Sequence, residues 1–293
     1  MSNLAISRGE RLDQRVVSLL PLLSRAFAVR LIQDGKVTVN GVVATKAGIK
    51  LKPEDDVVLD YQMSDFVIPE IDIPVLYEDD DCVVIVKPVG LLTHSKGAFN
   101  PEPSVATWLH NRIVDTTLLN TDKDSLNNRA GIVHRLDRAT SGVMICAKTP
   151  AACSWLQKQF ALRKAKKTYV AIVKGRLAQP EAVINMPIER NPKTPATFRV
   201  GANGKAAVTH YKVLQEAPDV TLVELKPETG RTHQLRVHLA KVGNPIIGDP
   251  LYGGGKFGDR LYLHALSLEI TLPNRERQTF SAPLPAEFAT RMQ

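Results

Sequence analysis

A chain of 293 residues, 44% hydrophobic and 23% charged, has room for one ordinary domain and a smaller companion, and its balance, with no long biased tract, is that of a folded protein able to bury a sizeable core, not of a disordered one. The formal charge of +8 favours polyanionic partners, because each Lys or Arg that meets a phosphate releases condensed counterions; charge alone does not separate a nucleic-acid binder from a generically basic protein. Cys82, Cys146 and Cys153 are odd in number and lack zinc-ligand spacing, so neither a disulfide framework nor a structural metal is expected. Met1 to Gln14 carries no signal-peptide core, and nowhere do about 18 uninterrupted apolar residues occur, which predicts a cytoplasmic protein with no membrane partner.

Leu12, Val16, Leu19, Leu20 and Leu23 recur at helical spacing, and Ser24 offers an N-cap for a second segment with Phe27, Val29, Leu31 and Ile32. Lys36 to Val43 alternates and turns at Asn40-Gly41, a pair that tolerates the positive φ of a tight hairpin. The result is a small αα-plus-hairpin module over residues 1–61. Such a module has little core of its own and is kept for a surface, which Arg11, Arg15, Arg25, Arg30, Lys36 and Lys46 make basic.

Residues 62–74, acidic and carrying Pro69 and Pro74, read as a linker. The second domain, 75–293, opens with a short apolar run, Val83 to Val86, a buried strand. Ser104 caps a helix with Val105, Trp108 and Leu109; Gly142 to Ala147 is a strand, and Thr149-Pro150 starts a helix with Ala152, Trp155, Leu156 and Phe160 on one side. Tyr169–Val173, Thr209–Leu214, Val220–Pro227 and Leu263–Leu272 read as strands, with a helix from Thr232 to Val242 ended by Gly243. The fold class is α+β, the larger domain built on a mainly antiparallel mixed sheet.

The densest polar block is Gly131 to Gly142, pinned between apolar stretches. Asp137 lies between Arg135 and Arg138, which can hold it ionised; by residue type it either pairs locally or serves as base or nucleophile. His134-Arg135-Leu136-Asp137-Arg138 followed by Thr140-Ser141-Gly142 resembles the signature of the RluA-like pseudouridine synthases. That resemblance implies that Asp137 is the catalytic residue. Lys167-Thr168-Tyr169-Val170-Ala171 is similar to the family's second motif, which implies that Tyr169 lines the uracil site. Thr229-Gly230-Arg231-Thr232-His233-Gln234-Leu235-Arg236 is similar to its third, which implies Arg231 as the ion-pair partner of the carboxylate, with Arg236 free for phosphate. Lys87-Pro88-Val89-Gly90-Leu91 and Asn244 to Tyr252 also resemble family blocks. Ala139 stands where many relatives have an acidic residue. The N-terminal module resembles the αL RNA-binding motif shared with a small-subunit ribosomal protein, through Arg11-Leu12-Asp13, Ser24-Arg25, Gly35-Lys36-Val37 and Val39-Asn40-Gly41.

The resemblance implies an RNA pseudouridine synthase acting without a cofactor: Asp137, Arg231 and Tyr169 at the reacting uridine, and His134, Arg135, Arg138, Thr140, Arg236, Lys167, Arg25 and Lys36 on the RNA. Large-subunit ribosomal RNA is the expected partner, transfer RNA the alternative, and no obligatory protein partner is implied. A non-catalytic assembly protein would need only the charge and the N-terminal module. His134, Asp137, His233, His238 and Asp249 are common metal-ligand types, but His233 and His238 stand five apart, on different sides of a helix, so no metal is expected.

Overall fold

The computed structural model describes residues 6–19, 25–61, 70–94, 102–110, 112–113 and 131–293; the Ser24 cap lies outside them. Packing divides the chain into two units.

In the first, α1 (Leu12–Leu19) and α2 (Arg25–Gln33) are followed by β1 (Val37–Val39), β2 (Val42–Val43) and β3 (Val57–Leu59) in a sheet ordered β2-β1-β3. Leu12, Val16, Phe27, Leu31, Ile32, Val37 and Leu51 form its core, the helical spacing of the sequence turned into one apolar face. Asn40 and Gly41 have φ of 53° and 77°, as an Asn-Gly hairpin turn requires. Asp13 is buried and ion-paired to Arg11 at 3.0 Å and Arg25 at 2.9 Å. Arg25, expected to be an RNA contact, is thus tethered yet about half exposed, and Lys36 is exposed. Arg15 is buried and adds nothing to the basic surface. The short helix α3 (Val105–His110), read from sequence as part of the larger domain, groups with this unit.

The second unit runs β4 (Val75–Glu78), β5 (Cys82–Lys87), β6 (Ser141–Ala147), α4 (Pro150–Ala161), β7 (Lys166–Lys174), β8 (Glu181–Asn185), β9 (Ile188–Arg190), β10 (Phe198–Val200), β11 (Val208–Glu216), β12 (Val220–Pro227), α5 (Gln234–Lys241), β13 (Leu263–Thr271), β14 (Arg277–Ser281) and α6 (Ala286–Arg291). Its large sheet follows the order β4-β5-β6-β13-β7-β12-β11-β8, with β14 paired to β13. The β6/β13 pair is parallel and the others are antiparallel. β9 and β10 form a separate hairpin.

Helices cover both faces of the central strand. In β7, Ala171 and Val173 pack with Leu235 and Leu239 of α5; the alternate residues Val170 and Ile172 pack with Phe288 of α6. Period-2 alternation therefore yields an unbroken apolar run, the signature of a strand buried on both sides. Thr149 caps α4 by accepting from the Ala152 amide at 3.2 Å. Cys82 and Cys146 are buried, their thiols pushed up in pKa by burial, so they pack as small hydrophobes. Among the described residues no helix is long and apolar enough to cross a membrane.

Candidate active site

Three segments meet at one pocket in the second unit. The Gly131–Thr140 turn enters β6, β7 contributes Lys167 and Tyr169, and the Pro227–His233 loop leads into α5. They enclose a cavity of about 570 Å³, within the range of small-molecule sites. Asp137, Thr140, Tyr169, Leu263, Arg231 and Arg236 are among its lining residues.

Asp137 keeps 21% of its side chain exposed, and its Oδ2 stands 3.5 Å from Arg236 Nη1 and 3.8 Å from His233 Nε2. Arg236 is buried and held in a bidentate pair with the fully buried Asp249, Nε and Nη2 donating at 2.7 and 2.8 Å; its guanidinium also lies 5.2 Å from the Tyr252 ring centre. Two parallel N–H···O bonds fix the plane of a guanidinium, which leaves Nη1 aimed at Asp137.

This corrects the sequence expectation for two arginines. Arg231 turns away, its Nε donating to the Ala206 carbonyl at 3.0 Å; Arg236 sits between Asp249 and Asp137, with 6% of its side chain exposed, and is not turned out toward phosphate. The reason is local. Gln234 Oε1 accepts from the Arg231 amide at 3.0 Å and from Thr229 Oγ1 at 2.7 Å, and His233 caps the helix in the left-handed region with φ of 55°. The helix therefore starts two residues later than the pattern suggests, and its first turn faces inward.

His134 is among the lining residues of the pocket, where its Nε2 accepts from the Ile145 amide at 3.0 Å and its ring stacks on Phe160 at 4.4 Å. Burial pulls its pKa down to about 3, so it is neutral. Arg135 is exposed at the pocket rim, whereas Thr140 is buried in the lining. Arg138 is exposed and outside the lining; its carbonyl accepts from the Gly90 amide at 2.9 Å. Lys167 lines the pocket, and burial lowers its pKa. Tyr169 is raised by burial, then by the charge of Asp137, so its hydroxyl stays protonated beside the carboxylate.

Several contributors had no catalytic or RNA-binding role assigned from sequence. His233 donates to or accepts from the Tyr252 hydroxyl at 2.9 Å, and burial lowers its pKa against the pull of Asp137. Lys87, fully buried, donates to the carbonyls of Pro88, Leu91 and Arg138 at 2.9, 2.8 and 3.3 Å, anchoring the turn that carries Asp137. Burial pulls its pKa down to about 7, the charge of Asp137 working the other way. The motif blocks around Lys87 and Asp249 carried the available signal, without showing which side chains reach the site.

A carboxylate beside a fixed guanidinium at the wall of a nucleotide-sized cavity can act as nucleophile or general base. Residues 81–241 match the family model described as RNA pseudouridylate synthase, and residues 10–57 match that of the S4 domain. The chain is 36% identical to an uncharacterized RNA pseudouridine synthase of Bacillus subtilis, over 96% of this chain and 93% of that one. It is 35% identical to the ribosomal large subunit pseudouridine synthase D of Vibrio parahaemolyticus, over 94% and 88%. The solved human RNA pseudouridylate synthase domain containing 1 superposes with a TM-score of 0.59 at 27% identity, over 74% of this chain and 86% of that one. With a matching synthase model across more than half its length and relatives spanning nearly all of it, this chain belongs to the RNA pseudouridylate synthase family and is an isomerase.

Proposed function

We propose that the protein isomerises specific uridines of large-subunit ribosomal RNA, with Asp137 as nucleophile or base and Arg236 as its ion-pair partner. The observation that carries this reading is the Asp137 carboxylate, lining the pocket within 3.5 Å of a guanidinium that Asp249 immobilises. The reaction breaks the bond from uracil N1 to ribose C1′, turns the base and joins C5 to C1′; the hydrogen on C5 leaves to water, the freed N1 takes up a proton, and the product is an isomer of the substrate. Each route open to Asp137, attack on the sugar, attack on the base or removal of the 2′ proton, needs it ionised, and a neighbouring guanidinium favours that form.

Tyr169 packs against the uracil. Lifting a uridine from its stack costs a few kcal/mol, which an aromatic face and polar contacts offset. Lys167, Arg135 and Arg163 line the pocket and meet flanking phosphates. Residues 1–61 bind RNA through Arg25 and Lys36, and residues 75–293 form the catalytic domain. The ribosomal substrate rests on relatives named for the large ribosomal subunit.

The test is tritium release from transcripts labelled at uridine C5. Wild type releases tritium from large-subunit ribosomal RNA, and Asp137→Asn lowers the rate at least about 10³-fold while retaining RNA binding. Release from transfer RNA alone would move the substrate; undiminished release by Asp137→Asn would remove Asp137 from the chemistry.

A further inference from the structure

Arg260 lies outside the pocket lining, three residues before β13, yet it reaches the turn that carries Asp137. Its Nη1 donates to the Leu261 carbonyl at 2.6 Å and to the Ala139 carbonyl at 3.4 Å, and its Nη2 donates to Ser141 Oγ at 2.8 Å. Its Nε donates to Glu287 of α6 at 3.2 Å, and the guanidinium lies 5.7 Å from the Phe288 ring centre. The side chain is 16% exposed.

The hydrogen bonds continue beyond it. A guanidinium has no lone pair to offer, so Ser141 Oγ accepts from Arg260, and the same oxygen shares a hydrogen bond with His264 Nδ1, 2.9 Å away. His264 is buried, so Arg260, Ser141 and His264 form a connected chain behind the turn. The Thr140 amide closes that turn on the Asp137 carbonyl at 3.0 Å.

The Arg260 backbone also packs against the second half of the site. Gly248 has φ of 78°, and a Cβ there would collide with the Arg260 carbonyl. The next residue is Asp249, which orients Arg236.

We propose that Arg260 is a positioning residue for the isomerisation: it clamps the Ala139–Ser141 end of the catalytic turn and abuts the Gly248–Asp249 loop, so that Asp137 and Arg236 meet in working geometry. Through Glu287 and Phe288 the same guanidinium makes α6 part of the support of the active site. The inference rests on the reading of Asp137 as the reacting carboxylate.

The experiment compares wild type with Arg260→Gln, Arg260→Lys and Ser141→Ala in tritium release, RNA binding and hydrogen–deuterium exchange across Asp137–Ser141. Displacing a catalytic group by about 1 Å costs on the order of 10²-fold, so Arg260→Gln is expected to lower kcat by about 10- to 100-fold, with KM and RNA Kd within about twofold of wild type. Arg260→Lys recovers part of the loss, because one ammonium serves fewer acceptors than the guanidinium fork. Exchange across Asp137–Ser141 quickens in Arg260→Gln. A folded Arg260→Gln with wild-type kcat and exchange, or a defect confined to KM, would overturn the proposal. If that variant does not fold, Ser141→Ala decides: a loss in kcat of about 3- to 10-fold, from one missing hydrogen bond, supports the clamp, and an unchanged kcat overturns it. Absence of release by wild type would remove the substrate reading, and the exchange comparison would then decide the clamp by itself.

Discussion

Asp249 carries more of the site than its distance from the substrate suggests. Its carboxylate is fully buried and takes both remaining faces of the Arg236 fork. Removing one partner of a buried ion pair costs about 3–5 kcal/mol, since the other charge stays in a poorly solvated place. Asp249→Asn is therefore expected to lose stability of that order in urea denaturation and to lower kcat at least about tenfold as the guanidinium turns toward Asp137 or away from it. A variant with wild-type kcat and midpoint would mean that Arg236 is oriented by something else. At this scale the sequence was partly legible. The motif blocks identified Asp137 and Tyr169 as pocket residues, but two arginines five positions apart in one block are equal by residue type. Which of them faces the carboxylate depends on where α5 begins, and Gln234 and the left-handed His233 set that start through contacts no periodicity carries.

The elements hold the site through one close approach. β6 and β13 run parallel with Gly142 opposite Ala265, and Gly142 has φ of 118° with no room for a Cβ against the Ala265 backbone. Gly142→Ala combines a backbone conformation that L-residues avoid with a steric clash; it is expected to destabilise the fold by at least about 2 kcal/mol and to depress activity, because Ser141 and the catalytic turn lie next to it. A thermal melt within a degree of wild type would show that the two strands can part at no cost. Thr149→Ala, by contrast, removes a single cap bond from α4 and should cost about 1 kcal/mol with kcat unchanged. Elements with a strong pattern were legible: Val220–Pro227 is a strand to its ends, and the Asn40-Gly41 hairpin forms. β3, β4, β8, β9, β10, β14 and α6 were not. β3, β9 and β10 are three residues long, and β8 buries one residue of its five. α6 shows one buried side chain, Phe288. Strands and helices anchored by so few contacts leave no period to read.

For the whole molecule, pH separates the folded from the unfolded chain through histidines that fold neutral. Burial lowers His264 to about 4 and His134 to about 3, and lowers His238 as well, against about 6.5 in an unfolded chain. Between those values and about pH 6.5 the unfolded chain binds protons that the folded chain refuses, so unfolding free energy rises with pH across that window. The stabilisation from the neutral imidazoles is fully present at pH 7 and drains away as pH falls from about 6.5 toward 4. For His264, a depression of this size corresponds to stability on the order of 3 kcal/mol. Urea midpoints measured from pH 7.5 to 4.5 should fall steadily below pH 6.5. His264→Asn, which can hydrogen-bond Ser141 without titrating, should flatten part of that slope. A wild-type midpoint constant down to pH 4.5 would refute the neutral-imidazole account. An unchanged slope in His264→Asn would assign the acid sensitivity to the other buried imidazoles, His134, His233 and His238.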